Sequence, residues 1–137
     1  MSGLETALLG AVANTVSKEV SQWLDNRGPD FSEDDWMKVG LPVGRQIRAE
    51  YEQYQVGETP KEDEVREQVD HAGKIYRELS YIGENRGFDT EVVDIYSDLA
   101  DLCADWVADP SLHVDVATSD HSDRFKQLHE RYKELVL

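Results

Sequence analysis

Val65, Val69, Ala72, Tyr76, Leu79 and Ile82 recur at intervals of three and four residues. A second such series, Val92, Ile95/Tyr96, Leu99, Leu102/Cys103 and Trp106, begins ten residues later. That spacing lays one apolar stripe along a helix, so the two runs read as two helices. Thr59 as N-cap, Pro60 at the first helical position and Glu62 closing a capping box mark the start of the first. Gly83 and Gly87 mark its end, and Asp89 or Thr90 caps the next. So short a link makes the two helices antiparallel neighbours.

The remaining segments carry the same period. A helix is expected from about Ser2 to Asp25, with Leu4, Leu8, Val12, Val16, Val20 and Leu24 four apart, and "NRGPD" ends it. Ser32 caps a second element. Pro42 is expected to turn or kink the chain at "GLPVG", ahead of a helix from about Pro42 to Gln55 that buries Val43, Ile47, Tyr51 and Tyr54. "ADPSLHVDVATSD" reads as the longest non-helical stretch, and a last helix from about Asp120 buries Phe125, Leu128, Tyr132 and Leu135. The expected fold is all-α: a single-domain bundle of about five helices over residues 1–137, with the third and fourth forming the antiparallel hairpin.

The chain has 29 acidic and 14 basic residues, a net charge of −15. The acids are spread along its length, Lys is scarce at 6, and Arg outnumbers it at 8. This profile resembles that of proteins from salt-in halophilic archaea. At molar salt the Debye length is about 3 Å, so dense surface carboxylates repel one another little. An acidic mimic of nucleic acid is the alternative source of such a charge. Cys103 is the one cysteine, which excludes an internal disulfide and fits a small buried hydrophobe. No basic residue precedes Lys18, and no uncharged run reaches the roughly 18–20 residues a span needs, so a cytoplasmic protein is expected.

Four carboxylates suggest a metal. "EVRE" (Glu64, Glu67) precedes "EVVD" (Glu91, Asp94). The pair resembles the ExxE and ExxD motif of the all-α nucleoside triphosphate pyrophosphohydrolases, although Asp63 stands where that pattern has Glu. The resemblance implies Mg²⁺ held against a triphosphate by these carboxylates. Hairpin geometry opposes it: Glu64 and Glu91 open antiparallel helices and so stand roughly 30 Å apart. By the same register Glu64 and Glu67 should face Asp101 and Asp105. Asp94, Asp98, Asp101 and Asp105 line one flank of the fourth helix, read as solvated or as a divalent-cation site. No His pair has the spacing HxxxH or HExxH and no glycine-rich loop follows a strand, so no cofactor is expected.

Two windows break the acidic pattern. Between Asp35 and Glu50 there is no acid, while Lys38, Arg45 and Arg48 are present with Trp36 nearby. "RFKQLHERYK" has four basic residues against Glu130, among them Arg124 and Lys126. Arg45 and Arg48 share a helix face close to a helix start, where backbone N–H groups attract anions. One reading makes Trp36, Lys38, Arg45 and Arg48 an anion or partner site. The other has Arg48 pairing with Glu52 and the glycines serving a turn. The leading functional expectation is a non-enzymatic interaction or adaptor domain of a halophilic cytoplasm, with Leu4, Leu8, Val12 and Val16 as the docking or self-association face. The alternatives are the Mg²⁺ enzyme and a nucleic-acid-associated regulator. A common face for the two basic windows would favour the regulator.

Overall fold

The structure, a computed structural model, describes residues 32–55, 62–108 and 120–137. Among the described residues there are five helices and no strand: α1 (Glu33–Lys38), α2 (Gly40–Gln55), α3 (Glu62–Arg86), α4 (Thr90–Ala108) and α5 (Asp120–Val136). The chain is an all-α bundle. The stripe of Leu4, Leu8, Val12 and Val16, the Thr59–Pro60 start signal and most of "ADPSLHVDVATSD" lie outside the described residues.

α3 and α4 form the antiparallel hairpin. Arg66 donates to the Val107 carbonyl at 2.5 Å, Arg77 pairs with Asp101, and Ser80 donates to the Val93 carbonyl at 3.1 Å. Residue numbers thus run in opposite directions on the two helices. α3 does not stop at Gly83. It continues to Arg86, and Gly87 at φ 69° supplies the left-handed residue that a helix end favours. The Phe88 N–H returns to the Gly83 carbonyl at 2.9 Å and Gly87 N–H to Glu84 at 3.3 Å, a Schellman closure. Asp89 Oδ1 then accepts from the N–H groups of Glu91 and Val92, capping α4.

Asp101 faces Arg77, not Glu64 or Glu67. The expected stripe of α4 is buried throughout: Val92, Ile95, Tyr96, Leu99, Leu102, Cys103 and Trp106. Cys103 packs behind Gly73, and burial pushes its thiol up to about 12, so it stays protonated and inert.

Ser32 caps α1 as expected, accepting from the Asp35 N–H at 3.1 Å. The break that follows falls at Val39, and α2 begins at Gly40 rather than Pro42. Pro42 therefore sits in the first turn of α2, where its missing N–H removes no intrahelical bond. The glycines of "GLPVG" are not turn residues; neither has a positive φ. A Cβ on Gly40 would lie 2.7 Å from Tyr96 Cε1, and one on Gly44 would overlap the His129 ring. They let α2 press its backbone onto α4 and α5.

Trp36 plugs the middle. It is 0% exposed, donates Nε1–H to the Leu79 carbonyl at 2.7 Å, and lies against Phe88 and Tyr96. Its carbonyl and that of Met37 fall in the last turn of α1, where helical partners run out. Tyr96 Oη donates to Trp36 O at 2.7 Å and Tyr132 Oη to Met37 O at 2.5 Å. Two core hydroxyls from α4 and α5 thus terminate α1. One hydrophobic cluster joins all five helices. Among the described residues no helix is long and apolar enough to cross a membrane.

Candidate anion site

The carboxylates of the metal motif do not gather. Glu67 lies beside Arg66, at the Val107 end of the hairpin. Asp94 follows Val93, whose carbonyl meets Ser80. From residue 67 to residue 80 is about 20 Å of helix. Glu67, Glu91 and Asp94 are all exposed, and the Glu64 side chain lies outside the described residues. On the acidic flank Asp94, Asp98, Asp101 and Asp105 are likewise exposed. Among the described residues no three His, Cys, Asp or Glu side chains are placed to hold a metal ion.

The two basic windows do meet. α2 crosses α5, and between them is a pocket of about 450 Å³ lined by Leu41, Arg45, Arg48, Ala49, His129, Lys133 and Leu137. Arg48 Nη1 lies 2.7 Å from Glu130 Oε1, and Lys133 Nζ lies 3.7 Å from the same oxygen. The Arg48 hydrogen bond holds the Glu130 carboxyl below its usual range. Arg45 is exposed and has no ion-pair partner among the described residues. Two cations thus share one carboxylate and Arg45 adds a third positive charge to the lining, leaving a positive recess on a strongly acidic chain.

His129 forms the back of this pocket. It is 1% exposed, its ring stacked between Phe125 (5.8 Å) and Tyr132 (6.1 Å). Neither ring nitrogen has a hydrogen-bond partner. Burial first, then the charges of Arg48 and Lys133, lower its pKa to about 4, so the imidazole is neutral at pH 7.

Not every expected site residue belongs here. Trp36 is core, held there by its bond to Leu79, and offers no surface to a ligand. Lys38 pairs with Asp34 at 3.4 Å on α1 and does not line the pocket. Arg48 pairs across the bundle with Glu130; the Glu52 side chain lies outside the described residues. Arg124 is exposed, and Lys126 lines a separate surface hollow on α5 with Asp123, Gln127, Glu130, Arg131 and Glu134. Lys133 and His129 join the site although charge and motif patterns within "RFKQLHERYK" do not single them out. Their spacing of four on one helix face was the available signal. The buried stripe of α5 is Ser122, Phe125, His129, Tyr132 and Val136, with Leu128 and Leu135 only half-buried. It is rotated from the expected one because Gly44 admits the imidazole.

No protein-family model, curated protein or solved structure was found to match the chain.

Proposed function

We propose that the protein is a non-enzymatic helical interaction domain that recognises a compact anionic group of a partner in the pocket between α2 and α5. The observation that supports this reading is the convergence of Arg45, Arg48 and Lys133, drawn from the two basic windows of the sequence, around one recess. The −15 charge fits a halophilic cytoplasm, where salt screens the acidic surface and short-range hydrogen bonds must supply selectivity. The apolar stripe Leu4, Leu8, Val12 and Val16 offers a further docking or self-association face in this reading, on sequence pattern alone.

A common basic face would suit a nucleic-acid regulator. The face is a single pocket lined by three cations, two of them already on Glu130, and offers no track along which successive phosphates could be neutralised. One compact anion fits it better than a polyanion. For the Mg²⁺ enzyme, the separation of Glu67 and Asp94 supplies no support.

The test is partner retention in molar KCl by the tagged chain and by an Arg45→Glu, Lys133→Glu variant. Both positions border solvent, so the melting curve should shift by no more than about 1 kcal/mol in stability. The reading expects the variant to lose the wild-type partners. An identical profile from both proteins would count against it.

A further inference from the structure

The pocket offers more than charge. Leu41, Ala49 and Leu137 give it an apolar wall beside the cations. Its volume of about 450 Å³ is several times that of a bare inorganic anion and falls among sites that take organic ligands. Behind the wall, the neutral His129 ring is 1% exposed, with both nitrogens unpartnered. A buried imidazole N–H without an acceptor carries an unmet desolvation cost; with the Nε2 tip packed on Gly44, Nδ1 is the nitrogen left to an incoming acceptor. Arg48 is already engaged with Glu130. Arg45 has no such engagement among the described residues. Its planar fork matches a carboxylate in two parallel hydrogen bonds.

Resting on the anion-site reading above, we propose that the ligand is an aliphatic carboxylate. Its oxygens sit between Arg45 and Lys133 and reach the His129 ring, and its hydrocarbon stem lies on Leu41, Ala49 and Leu137. A free short-chain acid and the end of a peptide chain both present this chemistry.

The experiment is calorimetric titration of the full chain in molar KCl at neutral pH. The probes are acetate, butyrate, hexanoate, inorganic phosphate, and a short peptide ending in leucine with its terminus free or amidated. Affinity should rise from acetate to hexanoate, by about fourfold for each methylene that becomes buried. Arg45→Gln should weaken butyrate binding about tenfold or more, as expected for a lost charge-assisted hydrogen bond. Lys133→Gln, altering a second surface position, serves as an independent variant. Butyrate outbinding both peptides assigns the carboxylate to a free acid. The free-terminus peptide outbinding butyrate and its own amide assigns it to a chain end. Phosphate binding more tightly than butyrate, or affinity independent of chain length, overturns the carboxylate assignment and leaves an anion pocket standing. Binding of none of the probes removes the anion pocket as well.

Discussion

Gly44 and His129 are in direct contact: the buried imidazole lies against the backbone of α2 where any side chain would overlap it. This contact sets the distance between α2 and α5, and with it the pocket. Ala has the higher helix propensity by about 1 kcal/mol, so Gly44→Ala would stabilise an isolated helix. In the bundle the overlap dominates, and a net loss of about 1–3 kcal/mol is expected. Thermal unfolding checks it. His129→Ala alone leaves a cavity, and the double variant Gly44→Ala, His129→Ala should lose less than the two single losses added. Strict additivity would mean the two residues do not touch.

His129 also predicts a pH dependence. It is faced by Arg45 and Arg48 from α2 and by Glu130 and Lys133 from its own helix. Its pKa falls from 6.5 to about 4 on folding, chiefly through burial. Between those values the unfolded chain holds a proton that the folded chain does not. Stability therefore falls as pH drops from 6.5 to about 4, by up to roughly 3 kcal/mol, and this group contributes no further loss below. His129→Gln should flatten that window in denaturant midpoints measured against pH. An unchanged slope in the variant would assign the acid sensitivity to other groups.

The hydroxyls of Tyr96 and Tyr132 end α1 by accepting the role of a cap. Tyr132→Phe removes the 2.5 Å bond to Met37 O, yet Tyr96 Oη remains 2.9 Å from that carbonyl. Each single Phe substitution should thus cost about 1 kcal/mol. The double substitution leaves the Trp36 and Met37 carbonyls without these partners and should exceed the sum by about 1 kcal/mol. Chemical denaturation of the four proteins gives the comparison.

Salt should matter strongly. The chain carries −15, and the self-repulsion this implies at low ionic strength opposes compaction. Helicity and thermal midpoint are expected to rise steeply from low to molar KCl. A flat midpoint over that range would remove the halophile argument.

The hairpin was legible because its signals are local. The stripe of α4 is buried as read, from Val92 to Trp106, and Ser32 and Asp89 cap where caps were expected. The errors fall where a distant residue decides. Gly83 looks like a stop signal, but its missing Cβ is needed for Trp36 to lie on α3, so the helix runs on. Gly40 and Gly44 look like a turn, but the rings of Tyr96 and His129 occupy the space their side chains would fill. Trp36 looked accessible beside Lys38 because its acceptor, the Leu79 carbonyl, is 43 residues away. Half of the site was readable, since Arg45 and Arg48 stand out by charge. The other half, His129 and Lys133, shares one face of α5 by spacing, but the packing of that face across α2 is not specified within either segment.

Binding of an anionic ligand beside His129, in the pocket between α2 and α5, should be visible in the ring-nitrogen resonances of His129 during titration with butyrate in molar KCl. The resonances should move and saturate in the wild-type chain and stay in place in Arg45→Gln. Saturable binding that leaves the His129 ring unmoved, or equal movement in both proteins, would contradict it.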